Sequence, residues 1–386
     1  MDATVYENKK IKGPATHAIV IGVGHYRHLP GGKGKKAANT WGLRQLSSPP
    51  HSARAIARWL IEEFEHPTKP LASVSMLVAD PSDAKFSYRA REKAKNIRLL
   101  DANFSNVATA VSQWHARGNR NEKNLLLFFF CGHGFELGTD LALLFSDFAA
   151  DPLAPLDAAL DFRRFRAGME DCAARQQCYF IDACRTESEL LTGNLNQAGR
   201  PIIQRTGAYN TRSALRQGPV FHSTLAGASA FATKRQPSHY TSALIEALSG
   251  AGAGDETGQW QVRTNSLNAA LGYLLRDASQ RLQLPEAQII STDDLSEIDL
   301  NVVPSARVPV IVTCDPESAN RQAAFSCESG SSKFKRPPKS GDWRLSIPAD
   351  FYDIGVKLRN PSGSTATRKN FLVRPIYRHV KLKVGS

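Results

Sequence analysis

The chain has 386 residues, 42% hydrophobic and 22% charged, which suits one large domain with a real core plus a small one. It has no run of about 18 apolar residues, so no membrane-spanning helix is expected. Its start, Met1-Asp2-Ala3-Thr4, has neither the basic nor the apolar stretch of a secretory leader, and a cytoplasmic location is expected. The formal charge of +13 is uneven: residues 305–386 hold 15 Lys/Arg against 6 Asp/Glu, the mark of a separate basic module.

Taken in chain order, residues 17–22 form a short apolar run ending in glycine, expected as a central strand. Residues 52–64 have helical spacing, with Ile56, Trp59, Leu60 and Phe64 on one side. A strand over 73–78 and a helix over 102–115 follow, the helix with Val107, Ala110, Val111 and Trp114 as its inner stripe. Residues 124–131 are almost continuously apolar, as in a sheet buried on both faces. A mainly helical stretch over 157–175 precedes another buried strand over 177–181. Residues 186–218 are polar, without periodicity, and read as a long loop of the kind that is often functional. A strand over 220–225, helices over 241–248 and 266–280, and a last strand over 286–290 complete an alternating pattern. That alternation predicts an α/β domain, a mostly parallel six-stranded sheet covered on both faces in three layers, over residues 1–292.

Residues 293–304 read as a linker. Beyond them, 308–313, 343–347, 352–358 and 379–384 alternate apolar and polar residues between turns, so 305–386 is expected to be a small antiparallel all-β sandwich.

The cysteines, at 131, 172, 178, 184, 314 and 327, form no C-x-x-C pair, so structural zinc is not expected and reduced thiols are. Cys314 and Cys327 would be candidates for pairing only in an exported chain. Residues 31–36, Gly-Gly-Lys-Gly-Lys-Lys, tempt a phosphate-binding reading. They fail the required spacing, with Leu29 in place of the first glycine and Lys36 in place of Ser/Thr, and read as a mobile basic loop.

Two segments carry the chemistry. Phe128-Phe129-Phe130-Cys131-Gly132-His133-Gly134 and Tyr179-Phe180-Ile181-Asp182-Ala183-Cys184-Arg185 each read as a buried strand ending at a reactive side chain. A histidine between glycines at the carboxyl end of a parallel strand stands where such sheets bind ligands, although an isolated Gly-His-Gly equally describes a histidine capping a loop. Cysteines in apolar runs are ordinarily inert packing, which suits Cys131, Cys172 and Cys178. Cys184 differs in lying just past its strand, between Asp182 and Arg185. The separation of 51 positions between His133 and Cys184 leaves room for one crossover helix, which would set their strands side by side.

These segments resemble the caspase-like cysteine peptidases, which include caspases, metacaspases and bacterial relatives. Ala183-Cys184-Arg185 with a histidine about 50 residues upstream matches the caspase signature. Asp182 replaces the caspase glutamine and resembles the metacaspase Asp-x-Cys form. The likeness covers roughly residues 16–290, including Phe221-His222-Ser223-Thr224 and Thr241-Ser242-Ala243-Leu244, which are similar to the family's small-subunit part. The resemblance implies a caspase-like fold, with residues 186–218 joining its large- and small-subunit parts. It implies Cys184 as nucleophile, His133 as base and then acid, and the N–H groups of Gly134 and Cys184 as oxyanion donors, with no cofactor. Through Asp182 it implies protein substrates with Arg or Lys before the cut, although no second carboxylate stands near residues 50–53, and Asp182 bracing the loop is the alternative. Ser229, Ala230 and Phe231 resemble the stretch that pairs with substrate backbone.

Calcium-dependent relatives exist, but Asp140, Asp147, Asp151, Asp157 and Asp161 match no calcium loop and read as an acidic surface. Arg200, Arg205, Arg212 and Arg216 are candidate self-processing positions. A regulated death or defence role, such as processing a pore-forming partner, rests on the resemblance alone. The basic module suits a protein partner better than nucleic acid. A catalytically silent scaffold and a nucleic-acid-responsive regulator remain as alternatives.

Overall fold

Burial on both faces explains the central sheet. Every residue of β2 (Thr16–Val23), β3 (Leu71–Ala79) and β6 (Leu125–Gly132) is buried, as is all but the first of β10 (Gln176–Ala183). Strands buried on both sides need helices above and below, and parallel pairing supplies the crossovers that carry them. The computed structural model describes residues 2–90, 93–137, 140–185, 198–207, 216–225, 232–256, 258–284, 286–330, 332–359 and 363–384. They group into two compact units, residues 1–245 with 274–298, and residues 246–273 with 299–386.

In the first unit β1 (Thr4–Glu7), β11 (Val220–His222) and β14 (Ser291–Asp293) extend the sheet to seven strands, in the order β1-β3-β2-β6-β10-β11-β14. The five inner strands pair in parallel, and β1 and β14 close the edges antiparallel. The expected six strands become seven because β1 is four residues of half-buried chain with too little apolar signal to read. The last strand lies at 291–293 rather than 286–290. A hairpin of β4 (Lys85–Ala90) and β5 (Lys93–Arg98) and a small sheet of β7 (Gly134–Leu137), β8 (Asp140–Leu144) and β9 (Ala159–Asp161) complete the unit.

Among the described residues, α1 (Pro49–Glu62), α2 (Phe104–Gly118), α3 (Phe162–Met169) and all but the last residue of α4 (His239–Glu246) belong to this unit. The predicted helix over 157–175 is mostly not one. Residues 159–161 pair as β9, and α3 starts only at Phe162, where the Asp161 carboxylate caps it by accepting the Arg164 N–H at 2.8 Å. One face of the sheet, with Ile19, Ile21, Phe128, Phe130, Tyr179 and Ile181, packs on Val107, Val111 and Trp114 of α2 and Phe162 and Phe165 of α3. The opposite face receives α1. There Gly22 is required, since a Cβ would sit 2.6 Å from Ala53 Cβ and Pro49 O.

In the second unit β12 (Ala253–Gly254), β13 (Trp260–Arg263) and β15 (Asp299–Val303) form one small sheet, so the expected linker over 293–304 carries a strand. Seven further strands are β16 (Arg307–Asp315), β17 (Ala323–Ser329), β18 (Ser332–Arg336), β19 (Trp343–Pro348), β20 (Asp350–Leu358), β21 (Thr365–Val373) and β22 (Arg378–Lys383). They form sheets ordered β19-β16-β22 and β18-β17-β20-β21, which share a core containing Val310, Val312, Phe325, Trp343, Ile354 and Val380. The all-antiparallel expectation fails at one place: β16 and β22 run parallel. A further helix, α5 (Thr264–Arg281), spans residues assigned to both units.

Phe128 is fully buried and its ring lies within 6.2 Å of those of Trp114, Phe162, Phe165 and Tyr179, centroid to centroid. Phe128→Ala is expected to cost about 3–5 kcal/mol through lost burial and a cavity. Urea unfolding of the two proteins measures it, and a loss below about 1 kcal/mol contradicts this account of the core.

Candidate active site

The register of two parallel strands brings the candidate residues together. In the β6–β10 ladder Asp182 stands opposite Cys131 and Ala183 opposite Gly132. His133 and Cys184 each follow as the next residue, at neighbouring strand tips on the carboxyl edge of the sheet. The tips approach closely: a Cβ on Gly134 would lie 2.8 Å from the Cys184 carbonyl oxygen and 3.3 Å from Ala183 Cβ, so only glycine fits. Leu144 N–H donates to the His133 carbonyl at 3.0 Å. The adjacent Gly134–Leu143 pair is therefore of the non-bonded kind, which turns the Gly134 N–H away from β8.

The imidazole of His133 is held on several sides. Its Nε2 lies 2.7 Å from the Arg44 carbonyl oxygen. A carbonyl only accepts, so Nε2 carries the proton and Nδ1 is left as the basic nitrogen. The His133 backbone N–H donates to the Tyr26 hydroxyl at 2.7 Å, and the Tyr26 ring tilts against the imidazole with centroids 4.9 Å apart. Gln45 fixes this support, accepting the Tyr26 N–H at 2.7 Å and donating to its carbonyl at 2.9 Å. Sequence reading missed Tyr26, Arg44 and Gln45, because a backbone carbonyl carries no residue-type signal, the Tyr26 hydroxyl meets a backbone N–H far along the chain, and Gln45 acts through the Tyr26 backbone. His133 is 9% exposed, and burial lowers its pKa to about 4, against a smaller upward pull from the Arg44 carbonyl. The ring is therefore neutral near pH 7.

Asp182 is 3% exposed. Its carboxylate accepts from Ser238 Oγ, from Thr241 Oγ1 at 2.7 Å and from Cys131 Sγ at 3.3 Å. Burial raises its pKa, opposed by these hydrogen bonds. Ser52 Oγ accepts the Ser238 N–H at 3.0 Å, so the place without a second carboxylate belongs to the same polar cluster.

A second histidine ends a neighbouring strand. His222 Nε2 pairs with Asp293 Oδ2 at 3.0 Å. His222 stands opposite Ile181, three residues short of Cys184, on the face that holds Tyr179 and Phe162. Strand alternation puts Asp182 on the other face, and the same alternation separates His222 from Cys184.

Ser229, Ala230 and Phe231, proposed for substrate binding, lie outside the described residues, as does Arg212. Arg216 donates to the carbonyls of Met169, Cys172 and Ala174, Arg205 pairs with Glu170 at 3.3 Å, and Arg200 lies over the Phe104 ring. Asp140 bonds Arg163, Asp147 accepts the Phe104 N–H, and Asp151 accepts the Leu153 N–H. Among the described residues no three His, Cys, Asp or Glu side chains are grouped to hold a metal. The basic loop expected to be mobile is pinned by the Gly34 N–H to the Arg27 carbonyl, the Ala37 N–H to the His28 carbonyl and Lys36 Nζ to the Leu29 carbonyl. Among the described residues, which include all six cysteines, no disulfide forms.

The family model described as caspase domain matches residues 15–295, most of the chain and both strand tips. The chain belongs to the caspase-domain family. Its membership makes it a caspase-like member of the cysteine peptidases. A curated relative, "Uncharacterized protein y4kE" of Sinorhizobium fredii (strain NBRC 101917 / NGR234), is 28% identical over 192 residues, 49% of this chain and 52% of the relative. The chain thus spans about half the length of that relative. Among solved structures, caspase-1 from Spodoptera frugiperda aligns with a TM-score of 0.41 and 13% identity, covering 73% of this chain and 87% of that one.

Burial also ties this caspase-like unit's stability to pH. His17, which shares a hydrogen bond with Ser73 Oγ at 2.8 Å, is likewise lowered to about 4, chiefly by burial. Both pKa values fall below the ordinary 6.5. Between these limits the unfolded chain takes up protons that the folded chain refuses. Stability is therefore full above pH 6.5 and declines as pH falls toward 4, by up to about 1.4 kcal/mol per pH unit per histidine. Chemical unfolding across this window is expected to show the decline, and His17→Asn to flatten it. An identical slope in that variant contradicts the assignment.

Proposed function

We propose that the chain is a cysteine endopeptidase in which Cys184 is the nucleophile and His133 its base. The observation carrying this reading is the shared register of the two strand tips, with Nδ1 of a neutral imidazole left as the basic nitrogen. In the proposed reaction Nδ1 accepts the Cys184 thiol proton and the sulfur attacks the scissile carbonyl carbon. Negative charge collects on the carbonyl oxygen, which the N–H groups of Gly134 and Cys184 hold. The C–N bond then breaks, and Nδ1 returns the proton to the leaving amine. Water attacks the thioester, giving its proton to Nδ1, and the acid product leaves with the thiol restored.

We further propose protein targets cut after Arg or Lys. A buried carboxylate two residues before the nucleophile is favoured in its ionised form by a guanidinium or ammonium placed beside it. A regulated death or defence pathway, with a pore-forming protein among the targets, is proposed from the family resemblance alone. A second reading has its own observation: three donors already engage Asp182, as they would a carboxylate that only braces α4 and β10. Catalysis is then unaffected by the nature of the residue before the cut.

Fluorogenic peptides with Arg, Lys, Asp or Ala before the cleaved bond separate the possibilities. Cys184→Ala and His133→Ala are expected to lose turnover by on the order of 10⁴-fold or more. Equal turnover in wild type and Cys184→Ala ends the peptidase reading, and absent turnover in both favours a silent scaffold. Asp182→Asn is expected to lose activity on Arg and Lys peptides selectively; an equal loss on all four supports the brace. The acid limb of kcat/KM is expected below 6.5, displaced toward 4, since the base is neutral until then.

A further inference from the structure

Arg185, next to the proposed nucleophile, meets Glu136, three residues after the proposed base, in a two-pronged ion pair. Arg185 Nε lies 2.8 Å from Glu136 Oε2, and Nη2 bonds Oε1. Both residues are buried, Glu136 at 5% and Arg185 at 8% exposure. The remaining Arg185 nitrogen, Nη1, donates to Ser291 Oγ at 2.9 Å and the Thr224 carbonyl at 3.4 Å. A buried ion pair is weak evidence of added stability, because desolvation offsets most of the attraction and apolar side chains of like volume serve as well. A planar guanidinium in a carboxylate fork does supply direction and separation, which apolar contact does not.

The pair spans the place where those properties matter. Gly134 lies two residues before Glu136 and touches the Cys184 carbonyl, so the fork joins the two chains just beyond their closest backbone approach. We propose that Glu136 and Arg185 are positioning residues, setting the spacing between the Gly134 and Cys184 N–H groups that receive the oxyanion. This rests on the peptidase reading above. Oxyanion donors must be placed for the transition state, and a displacement of about 1 Å is enough to cost on the order of 100-fold in rate. The pair also borders a cavity of about 1030 Å³ with Tyr179, His222 and Asp293. Water on that side can solvate a charge left behind, so single variants are expected to fold.

The test compares wild type with Glu136→Gln, Arg185→Lys and the double variant Glu136→Gln/Arg185→Lys. It measures kcat and KM per titrated thiol, and the pH-dependent alkylation of Cys184 by iodoacetamide. The variants are expected to lose ~10- to 100-fold in kcat with KM little changed, and the double variant no more than the worse single. Alkylation builds no oxyanion and is expected to match wild type in rate and pH profile. Unchanged kcat per titrated thiol overturns the proposal, and so does an equal loss in alkylation, which would place the effect on the dyad. If Glu136→Gln does not fold, Arg185→Lys, which keeps the charge but not the fork, carries the same expectation. Asp80→Asn, which breaks the Arg54–Asp80 pair (3.0 Å) of the same unit, is the structural control, expected to lower stability while keeping kcat. A wild type without turnover fails the peptidase reading itself; an active wild type with indifferent variants fails only this one.

Discussion

The parallel register that sets Gly132 opposite Ala183 fixes where the later groups stand. Parallel strands present their carboxyl ends on one edge, so two residues following paired positions become neighbours without any loop having to bring them together. A one-residue slip would turn His133 and Cys184 to opposite faces. Slippage is resisted by the aromatic packing beneath: Phe128 and Tyr179 face each other across the ladder and lock into Trp114, Phe162 and Phe165. The core thus acts on the site through register as well as through stability.

At the strand tips the same burial has the opposite sign. An imidazole and a carboxylate sit where charge is disfavoured, and each is held by directional partners. His133 has a carbonyl on Nε2 and a hydroxyl on its backbone N–H. Asp182 has two hydroxyls and a thiol. The partners differ in consequence. Burial keeps the imidazole neutral while the carbonyl on Nε2 fixes its tautomer and leaves Nδ1 basic, whereas hydroxyl donors favour the ionised carboxylate that burial penalises.

Much of this was legible in the sequence. Continuous apolar runs gave four of the five inner strands to within a residue or two, while β11 ends at His222, three residues short of the expected strand over 220–225. The His133–Cys184 spacing gave their adjacency. The structure departs from the reading where tertiary pairing outweighs local pattern. Residues 157–175 have helical spacing, yet Ala159–Asp161 is taken by β8, and the helix waits for the Asp161 cap. The hairpin Lys85–Ala90 and Lys93–Arg98 is too charged to read as strand. Its buried Phe86 and Tyr88 carry it, and the Tyr88 hydroxyl donates to the Val5 carbonyl at 2.8 Å. Arg44 supports His133 with a backbone carbonyl, Tyr26 meets its backbone N–H and ring from 107 residues away, and Gln45 acts only through the Tyr26 backbone, so none of the three left a local pattern to find.

The basic excess of residues 305–386 has a physical account in the sheets of the second unit. Its two larger sheets have β18, β21, β19 and β22 at their edges and β16, β17 and β20 inside. The edge strands carry nine of the fifteen Lys and Arg: Lys333, Lys335, Arg336, Arg344, Arg368, Lys369, Arg378, Lys381 and Lys383. The inner strands carry only Arg307 and Lys357. Edge strands expose unpaired N–H and C=O groups that recruit other chains, and long charged side chains along them make that pairing costly. The charge therefore follows unpaired backbone, so edge protection accounts for most of the module's basicity without a polyanionic ligand.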